Sequence, residues 1–220
     1  MKKLAMYSAI AGALMVSSLA SAQTQMPLPA YDRTYSNSTR TRGYWFEAPI
    51  DFCIVALRVP DEMGHGLQNF AVVRFDGNVP PPAFSGTTNA FQVLEYIVAE
   101  PSAARIPVEI QVRSGEIIGI MGAAGDSSIM RNSYGPSGPF QSDIFGRPVT
   151  LTRMGMQHNL VTFRPSDIWT EPPSPVSRVE MYYDAQCAPT CPCACDFDPD
   201  PLCDIFDFLE FQNEFVGGCP

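Results

Sequence analysis

The chain has 220 residues, 45% hydrophobic and 17% charged, with 14 Lys+Arg against 23 Asp+Glu for a net charge of −9. That length suits one domain with an appendage and is enough to bury a core. The negative balance argues against nucleic acid or an anionic membrane surface as the partner.

The first 22 residues read as an address. Lys2 and Lys3 precede an apolar stretch from Leu4 to Leu19, and Ala20-Ser21-Ala22 places small residues where a signal peptidase cuts. This is the layout of a secretory signal peptide, and the stretch is short for a membrane span of about 20 residues. The mature chain is expected to start at Gln23 and to be secreted or attached to the cell surface, with no transmembrane segment after cleavage. Lys2 and Lys3 are the only lysines, so the mature chain keeps 12 arginines and a charge of −11. Chemistry that needs a Schiff-base, P-loop or general-base lysine is thereby excluded.

Residues 23–185 read as an all-β, jelly-roll-like β-sandwich. Short β-prone runs recur between Pro, Gly, Asn and Asp: Gly43–Phe46, Phe52–Val59, Asn69–Phe75, Phe91–Val98, Pro107–Arg113, Glu116–Met121, Pro148–Met154, Asn159–Phe163 and Val176–Tyr183. In Val108-Glu109-Ile110-Gln111-Val112-Arg113 every second residue is apolar, the pattern of a strand with one wet face. No run in this region sustains a 3.6-residue apolar period. About nine strands in roughly 150 residues, joined by Pro-rich loops, imply two packed sheets.

Nothing in the body forms a recognised catalytic motif, so no catalytic residue is assigned. Gly122-Ala123-Ala124-Gly125-Asp126 follows a strand without a helix signal, and reads as a strand running into a tight turn. His65 and His158 are the only histidines and read as loop residues, since neither has a second ligand at metal-site spacing. A carbohydrate-active enzyme (glycoside hydrolase or lyase) remains an alternative, because carboxylates such as Asp51, Asp61, Asp76, Glu95 and Glu116 can pair in space to cleave glycosides. Tyr31, Tyr35, Tyr44-Trp45-Phe46, Tyr134, Phe140 and Trp169 look exposed, and beside arginines they would suit stacking on a sugar or peptide. For Trp45, inside a strand, packing is the preferred reading. Cys53 sits on an apolar strand and reads as a buried thiol.

Composition changes abruptly after Arg178. Val179 to Pro220 contains nine acids and no basic residue, and six of the seven cysteines (Cys187, Cys191, Cys193, Cys195, Cys203 and Cys219) crowd there. Residues 186–192, with Ala188-Pro189-Thr190-Cys191-Pro192, read as a linker, and 193–220 as a separate tail. Asp196, Asp198, Asp200, Asp204 and Asp207 occupy positions 1, 3, 5, 9 and 12 of a twelve-residue loop, with the Leu202 carbonyl at position 7. That is the EF-hand ligand spacing, suited to a hard cation such as Ca²⁺. Phe208, Leu209, Gln212 and Phe215 follow at helical spacing, and Gly217-Gly218 would end that helix.

With Cys195 before the loop, Phe211 in the helix and Gly218-Cys219 closing it, the tail from Cys193 to Cys219 resembles a Gly-Cys-terminated dockerin repeat. The resemblance implies a calcium loop and a module that attaches its carrier to a surface or a cohesin-like receptor. The chain departs from that family at Pro199 and Pro201, where glycine is usual and one position requires positive φ. It also has one loop where ordinary dockerins have two. Disulfides would then supply the staple: Cys195 with Cys219 brackets the unit, and Cys193 can meet Cys203, among 15 pairings open to six cysteines. The body would bind an extracellular glycan or protein, and the tail would hold it in place. A purely structural surface protein is the third reading.

Overall fold

A computed structural model describes residues 23–62, 64 and 66–187. The signal segment, His65, and the tail with Asp196, Asp198, Asp200, Leu202, Asp204, Asp207, Cys193, Cys195, Cys203 and Cys219 lie outside the described residues. Fourteen strands are present among those described: β1 (Thr24–Gln25), β2 (Arg33–Asn37), β3 (Thr41–Glu47), β4 (Phe52–Arg58), β5 (Gln68–Phe75), β6 (Phe91–Glu100), β7 (Ile106–Val112), β8 (Ile117–Gly125), β9 (Met130–Ser137), β10 (Phe140–Ile144), β11 (Arg147–Met156), β12 (Trp169–Thr170), β13 (Pro175–Ser177) and β14 (Glu180–Asp184).

The strands form two antiparallel sheets, a small one ordered β1-β14-β4-β7 and a large one ordered β10-β11-β3-β8-β5-β6. Counting β1, β3, β4, β5, β6, β7, β8 and β14 as strands one to eight, the sheets read 1-8-3-6 and 2-7-4-5. That alternation between sheets is the double Greek key of a jelly roll. Strands β9 to β13 are inserted between the seventh and eighth. They widen the large sheet through β11 and β10, and β9 pairs with β2 and β13 beyond the end of β8.

Alternation sorts the side chains. Tyr44 and Phe46 of β3, Phe70 and Val72 of β5, and Ile118 and Ile120 of β8 point between the sheets onto Ile54, Ile110, Met181 and Tyr183. Each such burial contributes about 1.5–3 kcal/mol before entropy. The Tyr44 hydroxyl donates to the Val179 carbonyl at 2.8 Å, so its one polar atom is satisfied. The opposite face of the large sheet is also dry. Ala71, Val73, Met121, Ala123, Met154 and Met156 form a second cluster under Leu160 and Ile168 of the segment between β11 and β12. Coverage on both faces explains why β8 is apolar without alternation.

Several expectations are corrected. Asn159–Phe163 is a turn: the Asn159 side chain accepts from the Val161 N–H at 2.8 Å, and its carbonyl accepts from Thr162 and Phe163. An asparagine offering local hydrogen bonds outcompetes strand pairing. Val176–Tyr183 divides at Arg178, where the chain leaves β9 for the small sheet. Cys53 is no thiol, since it is bonded to Cys187, 134 residues away and three past the end of β14. The register that sets Cys53 opposite Asp184 brings the two together. Cys187 therefore belongs with the body and not with the tail cysteines.

Candidate functional site: an arginine-lined cavity

Beside the junction of β2, β3, β9 and β11, a cavity of about 340 Å³ is lined by Arg33, Tyr35, Arg40, Arg42, Tyr134, Arg153 and Pro175. Arg33 and Tyr35 alternate along β2, and Arg33 faces Tyr134 across the β2–β9 ladder. Arg40 follows the turn between β2 and β3, where the Asn37 carboxamide accepts from the Thr39 and Arg40 N–H groups. Asn132 of β9 then ties the turn down. Its side chain accepts from the Arg42 N–H at 2.9 Å and donates to the Arg40 carbonyl at 3.1 Å.

Arg42 and Arg153 lie on the face of the large sheet that carries Tyr44 and Leu151 farther in. Arg42 is 4% exposed. Its Nη1 donates to the Met156 carbonyl at 2.6 Å and the Thr41 carbonyl at 3.0 Å, and its guanidinium carbon stands 4.7 Å from the Trp169 ring centre. It crosses β11 at Gly155, where a Cβ would come within 2.6 Å of Arg42 Cδ. The glycine is the gap through which the side chain passes. Burial lowers the Arg42 pKa to about 10, with neighbouring Arg153 and Arg40 pushing the same way and Tyr134 and Glu171 opposing.

Arg153 is held more tightly by protein partners. Its Nε meets Glu171 at 3.3 Å, Nη1 donates to the Pro175 carbonyl at 3.2 Å, and the guanidinium lies 5.2 Å from the Tyr134 ring centre. Burial raises the Tyr134 pKa, while Arg153 and Arg42 draw it back. The phenol is thus a neutral donor at physiological pH. The arrangement presents cations, phenolic hydroxyls and aromatic faces, a set that binds anions and sugars. Two other concavities, of about 530 and 450 Å³, mix Arg58 and Arg131 with Asp61 and Asp126, and Arg74 and Arg113 with Glu109 and Glu116.

The carboxylates named from sequence serve the backbone or stand apart. Asp51 accepts from the Ser114 N–H, and Glu116 accepts from the Arg113 N–H and pairs with Arg74 at 3.1 Å. Both brace the turn between β7 and β8. Glu95 accepts from the adjacent Tyr96 N–H, Asp76 opens the single-turn helix Asp76–Asn78, and Asp61 lines the 530 Å³ concavity. The Gly122–Asp126 stretch is a strand end and a turn, as read. Gly125 has φ +137°, and the Asp126 carboxylate accepts from the Ser128 and Ile129 N–H groups, which lowers its pKa. His158 is a half-buried loop residue against Phe163, ring centres 4.9 Å apart.

The aromatics are also redistributed. Tyr31 and Tyr35 are exposed, whereas Tyr44, Phe46, Tyr134 and Trp169 are buried and Trp45 and Phe140 half-buried. Trp45 lies on the covered face of β3, its indole N–H donating to Thr170 Oγ1 at 2.9 Å. Sequence reasoning assigned no role to Arg40, Arg42 or Arg153. The spacing Arg40-x-Arg42 at a strand start was the visible signal, and the partner Gly155 carried none. No protein-family model, curated protein or solved structure matches this chain in comparisons with known proteins.

Proposed function

We propose that this chain is an exported, non-catalytic β-sandwich that binds a ligand outside the cell and is held in place by a dockerin-like C-terminal module. The observation that carries the reading is the cavity built on β2, β3, β9 and β11, with Arg42 and Tyr134 on its floor and Tyr35 and Arg40 exposed at its rim. A few convergent polar groups on a rigid scaffold are what a binding module needs. The Cys53–Cys187 bond supports export, since such bonds persist in oxidising compartments. The tail supplies attachment: Asp196, Asp198, Asp200, Asp204 and Asp207, with the Leu202 carbonyl, would hold Ca²⁺, and its receptor would be a surface or a cohesin-like partner.

Two measurements test this on the mature chain. Binding to a mixed array of extracellular glycans and peptides is expected, and silence across the array would refute the binding role. Terbium titration is expected to give sensitised emission that calcium displaces. If no emission appears and calcium leaves protease resistance of the tail unchanged, the tail holds no metal and attachment would rest on its cysteines alone.

A further inference from the structure

The cavity carries a charge its surroundings leave unbalanced. Four guanidinium groups line it, and two carboxylates stand in contact with them. One of these, Asp32, meets Arg33 at 3.8 Å between side chains 62% and 48% exposed, a pair that solvent screens. The other, Glu171, is taken up by Arg153. Arg40 and Arg42 have no carboxylate partner among the described residues. For Arg40, on the surface, that is ordinary. For Arg42 it is costly, because a buried cation is normally paired. Two carbonyls and the Trp169 face offset part of the cost.

Both hydrogen bonds of Arg42 leave from Nη1, and no acceptor among the described residues meets its Nε or Nη2. A guanidinium fork matches a planar carboxylate bidentately. Arg40 at the rim adds positive field that no carboxylate partner among the described residues offsets. Beside it stands Tyr35, 48% exposed, its ring available to lie against a sugar. A cavity of about 340 Å³ is at the small end for ligand sites, the scale of one sugar residue and its substituents.

We propose that this cavity binds the carboxylate of an acidic saccharide, a uronic-acid residue of an extracellular polysaccharide, through Arg42 and Arg40 with Tyr35 against the sugar ring. This rests on the reading of the body as a binding module and names its ligand class. A carboxylate in the cavity would pair the one buried guanidinium that lacks an anion among the described residues. The same pairing explains why Gly155 and Asn132 are spent on placing Arg42.

The test is calorimetry on the mature chain with three probes: oligogalacturonate, the same oligomer methyl-esterified, and polyglutamate. Binding of oligogalacturonate is expected, weakening as salt rises and falling about tenfold or more on esterification, which removes the charge and keeps the sugar. Arg42→Gln should lose a similar factor. Arg40→Gln, at an exposed site where folding is not at stake, should lose several-fold, with circular dichroism confirming the parent fold for both. Equal binding of polyglutamate would overturn the saccharide assignment. Oligogalacturonate and its methyl ester bound equally, and equally by the parent and Arg40→Gln, would overturn the anionic site while leaving the binding module standing. Failure to bind any probe or any member of the array would overturn both.

Discussion

Replacing Cys53 and Cys187 by alanine opens the covalent loop that ties the middle of the small sheet to the segment beyond β14. The bonded residues are 134 apart, for which the chain-entropy relation gives an upper figure of about 5 kcal/mol at 25 °C. Native bonds in practice return about 2–5 kcal/mol, a large share of a total stability of about 5–15 kcal/mol. Urea unfolding of the mature chain, followed by tryptophan fluorescence, is the assay. With a slope of about 1–3 kcal/mol/M, the double variant should unfold at least about 0.7 M earlier. Its slope should also rise, because the unfolded chain is no longer cross-linked. The singles separate cross-link from cavity, since Cys53 is fully buried and Cys187 only half-buried. A lost cross-link makes Cys187→Ala cost nearly as much as the double; a mere cavity makes it close to neutral. Superimposed curves for parent and double variant would refute the reasoning outright.

Two further predictions concern the cavity. Gly155→Ala puts a methyl within 2.6 Å of Arg42 Cδ, so it should cost about 1–3 kcal/mol by overpacking and abolish oligogalacturonate binding. Adding Arg42→Ala should recover part of the stability, since the Thr41 carbonyl at 2.9 Å still crowds the methyl, but not binding, a non-additivity that chemical denaturation reads directly. Affinity for a carboxylate should be flat from about pH 5 to 8, where the ligand is ionised and Arg42 charged, and should fall as pH rises through about 10. The sign for stability is opposite: a cation whose pKa is lowered by folding destabilises the fold below about 10, and the penalty is relieved as pH rises above that. Arg40, Arg153, Tyr134 and Glu171 face the same guanidinium, so the steps should be broadened by coupling.

Apolar patterning carried most of the fold. Pro107–Arg113 became a strand within a residue of the expected bounds because a half-buried strand writes its two faces into successive residues, while Phe52–Val59 and Asn69–Phe75, mostly buried on both faces, were legible as short apolar runs between breakers. β2, β9 and β10 escaped notice. Arg33-Thr-Tyr-Ser-Asn37 is mostly exposed, and Met130–Ser137 carries Asn132, Ser133 and Gly135 where apolar residues would have signalled a strand. Their pairing partners supply the stability that their own side chains do not.

Composition and order alone determined the signal-peptide-like pattern of the first 22 residues, the absence of lysine after Lys3, the all-β body and the acidic, cysteine-rich tail, since each is a local property of consecutive residues. Tertiary structure decided the rest. Cys187 left the tail cysteines for Cys53 because the β4–β14 register brings them side by side. Of the aromatics that looked available, Tyr44 and Phe46 went inside between the two sheets, and Trp45 was half-covered on the second face of the large sheet by the segment after β11. Arg42, one arginine of twelve to the eye, became the centre of a candidate site because Gly155, 113 positions later, lies opposite it in the β3–β11 ladder. Such a meeting depends on strand register across a sheet, and neither residue carries a trace of it in its own neighbourhood of the chain.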